Sequence, residues 1–205
     1  MFDLLILTNY ILDLTSGGLY ISDQDFSISN SIFTGNSASN GGGLVAFNSK
    51  NELILRNVTF TDNTAFSHGG GVYTENIVAD IRGVSCSFIR NSAGGNGGGL
   101  YFKNNNVMYM ADSVISENSA EYGGGVYNYF PGLEVYERVQ FLNNDALQGG
   151  GGMRGRYLKT TLRDCHVVGN TALWGGGVSI SNGNGYHFDA DNCSFVENDA
   201  VNSGG

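Results

Sequence analysis

The chain has 205 residues, of which 32 are glycine and one is proline, and its net charge at neutral pH is −9. Hydrophobic residues make up 41%, which is enough to bury a core, and the near absence of proline excludes a collagen-like chain. Only ten residues are basic, which argues against nucleic acid or an anionic membrane as a partner. No apolar run approaches the roughly 20 residues of a spanning helix.

A repeat runs along the chain from about residue 5. Its first element, Phe-x-x-Asn-x-Ala, occurs in seven registers, and Ile115 or Val167 replaces the phenylalanine in two of them. Successive copies lie 26 to 28 residues apart, a spacing typical of repeat architectures. The asparagines of this element are Asn36, Asn63, Asn91, Asn118, Asn144, Asn170 and Asn198.

A glycine run follows the Phe-x-x-Asn-x-Ala element. Serial glycines and β-branched residues at alternating positions disfavour helices, and short segments that alternate polar with apolar residues favour strands. Three short strands with their turns account for one period. The glycine runs are Gly41–Gly43, Gly69–Gly71, Gly97–Gly99, Gly123–Gly125, Gly149–Gly152 and Gly175–Gly177.

The predicted fold is all-β: a right-handed parallel β-helix of about seven coils of 26–28 residues, with three short strands in each coil. Residues 1–205 are expected to form this single β-helix. The segment Leu5–Leu12 already follows the repeat, which still runs at Gly205. Because solenoids need capped ends and neither end has an atypical repeat, we expect an uncapped segment of a longer array. The alternative is a complete small protein whose ends are covered by partners.

Stacked coils place equivalent residues in columns, and two columns are predicted to be buried. The repeated asparagine is expected to form an inward ladder at a turn, each side-chain amide donating to the next coil. The position two residues before the phenylalanine holds small residues, among them Cys86, Cys165 and Cys193, which we interpret as buried thiols. Cys165 and Cys193 fall in adjacent coils, so a disulfide between them is the alternative.

The paired elements, Phe-x-x-Asn followed by Gly-Gly-[Ala/Gly]-[Ile/Leu/Val], resemble the repeats of the chlamydial polymorphic outer membrane proteins. The resemblance covers roughly Leu5 to Gly205, although the third glycine position holds glycine here and not alanine. It implies a surface-exposed passenger of a longer polypeptide, often adhesive, whose partners are further repeats of the same polypeptide or other surface proteins. Such motifs are specific for an architecture and not for an activity.

Tyrosine recurs at the outward position that follows the glycine run. Because parallel strands lie about 4.8 Å apart, we expect a flat stripe of exposed rings. Such a stripe suits a glycan or a protein partner, and the scarcity of basic residues favours a neutral glycan over an anionic polymer. The alternative is that the rings only stack on one another and stiffen the sheet. The four tyrosines are Tyr20, Tyr73, Tyr101 and Tyr127.

Two charged columns have a catalytic interpretation, because a parallel β-helix also resembles the fold of polysaccharide lyases and hydrolases. An arginine base with carboxylates around a cation would suit a lyase, but the alternating signs favour an ion-pair ladder between coils. The three histidines share no repeat position, so no metal site is predicted. The columns are Glu137, Arg163 and Asp191, and Asp112, Arg138 and Asp164.

Two glycosylation sequons occupy the same repeat position. They are Asn57-Val-Thr59 and Asn192-Cys-Ser194, and either asparagine could carry a glycan in a secreted eukaryotic protein.

The sequence thus predicts a non-catalytic structural or adhesive segment of a large extracellular or cell-surface β-helix protein, with no cofactor and no metal. Active sites on solenoids lie in long loops, whereas these coils vary in length by only a residue or two. The alternative is a carbohydrate-binding protein or a polysaccharide-degrading lyase or hydrolase.

Overall fold

The computed structural model describes residues 2–3, 6–8, 17–24, 26–130, 132–156, 159–181 and 187–204. Within these ranges all regular secondary structure is β-strand. No helix of sufficient length and apolar character to span a membrane occurs in them. Much of the repeat element predicted at Leu5–Leu12 lies outside the described residues.

The strands follow one another at short intervals. The first fourteen are β1 Phe2–Asp3, β2 Ile6–Thr8, β3 Leu19–Ser22, β4 Phe26–Thr34, β5 Ser37–Asn40, β6 Leu44–Phe47, β7 Leu53–Thr61, β8 Thr64–His68, β9 Val72–Glu75, β10 Asp80–Val84, β11 Ser87–Ile89, β12 Ser92–Ala93, β13 Leu100–Lys103 and β14 Val107–Ala111. The next fourteen are β15 Val114–Ser116, β16 Ser119–Tyr122, β17 Val126–Tyr129, β18 Leu133–Glu137, β19 Gln140–Leu142, β20 Asp145–Gly149, β21 Met153–Arg156, β22 Lys159–Arg163, β23 His166–Val168, β24 Thr171–Trp174, β25 Val178–Ser181, β26 His187–Asp191, β27 Ser194–Val196 and β28 Asp199–Ser203.

These strands form three parallel sheets in which each strand pairs with its counterpart one coil away. We call them the wide sheet (β1, β2, β4, β7, β10, β11, β14, β15, β18, β19, β22, β23, β26 and β27), the alanine sheet (β5, β8, β12, β16, β20, β24 and β28) and the tyrosine sheet (β3, β6, β9, β13, β17, β21 and β25). The prediction of an all-β parallel β-helix of about seven turns is confirmed.

The coil bends at corners where the backbone has positive φ, and glycine supplies one of them, as at Gly97 (φ 68°). Another corner lies inside the nine-residue strands β4 and β7, at Asn30 and Asn57. From the third complete coil on, the equivalent residue, also at positive φ, separates two short strands. Those coils therefore have four strands and not the predicted three. The separating residues are Ser85, Asp112, Arg138, Asp164 and Asn192.

The interior of the coil is filled by columns of side chains in register. The phenylalanine column is an example: Phe33, Phe60 and Phe88 are fully buried, and their rings stack at 4.6 and 5.2 Å between centroids. In the cysteine column Cys86 and Cys165 are buried, Cys193 is half-buried, and all three thiols are free. The alternative of a disulfide is not realised, since Cys193 Sγ instead accepts the backbone N–H of Cys165 at 3.4 Å.

Candidate functional site: the outer face of the tyrosine sheet

The tyrosine sheet presents two outward columns, because successive side chains of a strand point to opposite faces. Register pairing stacks residue on residue from coil to coil. The first column holds Tyr20, Val45, Tyr73, Tyr101, Tyr127, Arg154 and Ser179. The second holds Ser22, Phe47, Glu75, Lys103, Tyr129, Arg156 and Ser181.

Three of the four predicted tyrosines form a face-to-face stack. The ring centroids of Tyr73 and Tyr101 lie 5.1 Å apart with planes at 8°, and those of Tyr101 and Tyr127 lie 5.5 Å apart at 9°. Tyr20 is separated from this stack by Val45, which occupies the intervening coil. Because these rings stack face to face, the ring faces on which a sugar would stack are already covered by neighbouring rings.

The expectation of an exposed tyrosine stripe is wrong at its centre. Tyr101 and Tyr127 are only 6% and 5% exposed and Tyr73 is half-buried, whereas Tyr20 is 49% exposed. The physical reason is the neighbouring corner: the ring of His68, at the end of β8, stacks on Tyr101 at 4.8 Å. Burial raises the pKa of the Tyr101 phenol well above its usual range.

His68 is held in this position by a backbone contact. Its Nδ1 accepts the N–H of Asn96 in the next coil at 3.1 Å, which leaves the ring proton on Nε2. Burial, together with the charge of Lys103, lowers the pKa of His68, so the ring is neutral at physiological pH. The histidine therefore packs as a neutral ring against the face of Tyr101.

The second column carries an ion pair beside the stack. Lys103 Nζ lies 2.7 Å from Glu75 Oε1, and the hydroxyl of Tyr73 donates to the same carboxylate. Burial alone would raise the pKa of Glu75, but the hydrogen bonds from Lys103 and Tyr73 bring it below its usual value. The carboxylate is thus ionised and fully engaged.

In both columns an arginine follows the last tyrosine, Arg154 after Tyr127 and Arg156 after Tyr129. The guanidinium of Arg154 lies 5.8 Å from the ring centroid of Tyr122, and that of Arg156 lies 5.7 Å from the ring centroid of Tyr129. A cavity of about 370 Å³ lies beside these contacts. It is lined by Asn96, Tyr122, Tyr127, Arg154 and Arg156. Sequence reasoning missed this cationic end, although Arg154 stands where the column of tyrosines stops.

The repeated asparagines lie in one column at the corner between the wide sheet and the alanine sheet. The side-chain amide of each of the first six donates to Oδ1 of the next asparagine at 2.9–3.0 Å. From the second onwards each also donates to a backbone carbonyl of the preceding coil, as Asn63 does to Phe33 at 2.9 Å. Six of the seven are buried and Asn198 is half-buried. The ladder thus joins consecutive coils through side chains as well as backbone.

The two sequon asparagines lie on the surface at one corner position. Asn57 and Asn192 are exposed, and each donates its side-chain amide to the preceding coil, Asn57 to Asn30 Oδ1 at 2.8 Å and Asn192 to Asp164. Glycosylation at either asparagine stays a prediction.

The charged columns form ion pairs in part. Arg138 Nε lies 2.6 Å from Asp112 Oδ1, and its guanidinium also contacts Glu137. The hydrogen bond from Arg138 lowers the pKa of Asp112. An arginine so engaged is not available as a base. Among the described residues, no three His, Cys, Asp or Glu side chains come together to hold a metal ion.

A buried polar cluster inside the coil was also not predicted. Glu134 is fully buried on β18, where Asn128 Nδ2 and the hydroxyl of Thr160 both donate to its Oε2 at 2.8 Å. Asn128 Nδ2 also lies 3.3 Å from the hydroxyl of the buried Tyr136. The alternation in Leu133–Glu137 was the signal for this cluster, since it places Glu134 and Tyr136 on one face.

Comparison with known proteins identifies the repeat. Residues 57–75, from the end of the wide-sheet strand β7 through β8 to β9, match the model of the Chlamydia polymorphic membrane protein repeat. No curated protein and no solved structure matches the chain. The chain therefore carries a Chlamydia polymorphic membrane protein repeat, a type found in surface proteins, within a parallel β-solenoid of about seven turns.

Proposed function

We propose that the chain is a non-catalytic, rigid segment of a larger cell-surface protein, with an adhesive face on the tyrosine sheet. The observation that carries this proposal is the asparagine ladder, which repeats the same buried hydrogen bonds from Asn36 to Asn198. Such regular bonding between coils suits a scaffold that holds a surface in a fixed shape.

The match to a polymorphic membrane protein repeat supports a place at the outer membrane or cell surface. Further repeats of the same polypeptide and other surface proteins are the partners that a passenger of this kind would have. The adhesive role rests on the outer face of the tyrosine sheet, where aromatic and cationic side chains occur together.

A turnover assay separates this proposal from the polysaccharide-degrading alternative. The purified chain is incubated with a panel of acidic and neutral polysaccharides, and new reducing ends and unsaturated products are measured. We expect no turnover above that of a heat-denatured sample. Product that forms only with the folded chain would overturn the proposal. Labelling of intact cells with a membrane-impermeant reagent tests the surface location separately.

A further inference from the structure

We propose that the cavity formed by Asn96, Tyr122, Tyr127, Arg154 and Arg156 binds the carboxylate-bearing ring of an acidic saccharide. This site, the arginine pocket, lies at the end of the tyrosine stack. The inference rests on the proposed surface function only for access to such saccharides, because binding itself is a property of the isolated chain.

The first argument is charge. In a chain with a net charge of −9, Arg154 and Arg156 project from the same face of β21 into one cavity. Three other arginines, Arg82, Arg90 and Arg138, pair with carboxylates, as Arg90 does with Asp62 at 2.8 Å. Among the described residues Arg154 has no such ion pair.

The second argument is the hydrogen bonding of Arg154. Its two terminal nitrogens donate to neutral hydroxyls, one to Ser179 and the other to Ser181 at 3.2 Å. Its Nε is buried and has no acceptor among the described residues. A guanidinium whose fork lacks an anion, in a site where burial strengthens charge-assisted hydrogen bonds, favours a carboxylate as the guest.

The third argument is the size and lining of the cavity. About 370 Å³ lies within the range of small-molecule pockets and suits one sugar-sized molecule. The amide of Asn96 and the phenol groups of Tyr122 and Tyr127 offer neutral polar contacts beside the two cations. This combination fits a ring that carries several hydroxyl groups and one acid.

The pocket revises the sequence-based preference for a neutral glycan. The overall negative charge still opposes a long polyanion, because such a chain would extend over acidic surface on either side. A short acidic saccharide, or a single acidic residue within a largely neutral glycan, avoids this repulsion. The preferred ligand is therefore one carboxylate on one sugar ring.

The test is a titration of the full ¹⁵N-labelled chain with D-glucuronate, followed through the arginine Nε–H signals. D-glucose is the matched neutral probe, since it differs only at the carboxylate. We expect a saturable shift of the Arg154 signal and binding of glucuronate about tenfold or more tighter than that of glucose.

Arg154→Gln and Arg156→Gln should each weaken binding about tenfold. Arg163→Gln removes the same charge from an exposed position on β22 and should leave binding unchanged.

Four outcomes would overturn the proposal. One is an unchanged Arg154 signal at saturating glucuronate in a chain that melts cooperatively. Another is equal affinity for acetate, which would leave the sugar ring without a role. A third is tighter binding of a glutamate-rich peptide, which would point to a protein partner. The last is equal weakening by Arg163→Gln. None of them affects the turnover and cell-labelling tests of the proposed function.

Discussion

The side-chain amide of Asn91 donates to Oδ1 of Asn118 at 3.0 Å, and the same oxygen accepts the backbone N–H of Asn91 at 2.9 Å. Asn118 also donates to the carbonyl of Phe88 at 2.9 Å. Both asparagines have no exposed surface, so water cannot take the place of either. One side chain in the column thus satisfies three polar groups of the preceding coil.

Asn118→Ala should strongly destabilise the chain. The substitution leaves the amide and the backbone N–H of Asn91, and the carbonyl of Phe88, without their partner. At about 1–3 kcal/mol for each unsatisfied buried group, we expect a loss of about 3 kcal/mol or more. Urea denaturation measures the loss. Asn106→Ala, the same change at an exposed asparagine, should cost less than about 0.5 kcal/mol. Equal effects of the two substitutions would contradict a structural role for the column.

Gly98→Ala should disrupt the corner that leads into the tyrosine sheet. A Cβ there would lie 2.3 Å from the carbonyl oxygen of Gly124 and 2.5 Å from that of Ser119, both backbone atoms that cannot move aside. We expect a loss of about 3 kcal/mol or failure to fold, measured by circular dichroism and thermal melting.

The matched control is Gly83→Ala. There the new Cβ would meet Met110 Cε at 3.1 Å, the far end of a flexible side chain that can shift. The effect should be within about 1 kcal/mol. Comparable destabilisation by both substitutions would show that close backbone approach is not what selects glycine at position 98.

The fold follows from the sequence to a large extent because its causes are local and repeated. The spacing of Asn36, Asn63 and Asn91 determines which residues stack, and the glycine runs mark a corner. The corners at Ser85 and Arg138 were missed because positive φ there is imposed by the coil and not by the residue type. Without the repeat, neither residue would suggest a left-handed conformation.

The contribution of Glu134 to the stability of the chain should fall as the pH rises from about 4.5 to about 8. Burial raises the pKa of Glu134 to about 8, against the opposing hydrogen bond from Thr160. The neighbouring phenol of Tyr136 has a pKa well above its usual range through burial, and burial raises that of the Cys165 thiol to about 11, so both stay neutral. At Glu134 the folded state therefore holds one more proton than the unfolded chain in this window. This contribution to the free energy of unfolding should decline by about 1.4 kcal/mol per pH unit, whereas His68, whose pKa burial lowers, acts in the opposite direction below about pH 6.5.

Glu134→Gln isolates this effect, since glutamine keeps the oxygen that accepts from Asn128 and Thr160 but does not ionise. The stability of the variant relative to the original chain should rise between pH 5 and pH 8, measured by urea denaturation in a series of buffers (about pH 5, 6, 7 and 8). A difference that stays constant with pH would mean that Glu134 ionises as easily in the folded state as in the unfolded chain.

Tyr101→Ala should destabilise the chain, because the ring is buried between Tyr73, Tyr127 and His68. Removal of a buried aromatic side chain costs about 3–5 kcal/mol. Tyr20→Ala should cost less than about 0.5 kcal/mol, since Tyr20 is half exposed and separated from the stack. Thermal melting of both variants distinguishes them. If Tyr101→Ala melts like the original chain, the stack does not stabilise the sheet.

The functional face was harder to predict than the fold. The period of the repeat places Tyr101 on an outward face but does not reveal that His68, from another sheet, covers it. The arginine pocket depends on a departure from the pattern at Arg154 and on contacts with Tyr122 across a corner. Such contacts join residues whose spacing in the sequence carries no signal.

Hydrogen exchange of the asparagine side-chain amides tests most directly whether the chain is a rigid scaffold held together by the ladder. In two-dimensional NMR spectra recorded after transfer to D₂O, the Nδ2 protons of Asn63, Asn91, Asn118 and Asn144 should persist long after the exposed Asn106 signal has gone. Loss of the ladder signals as fast as that of Asn106 would show that the ladder does not hold the coils together.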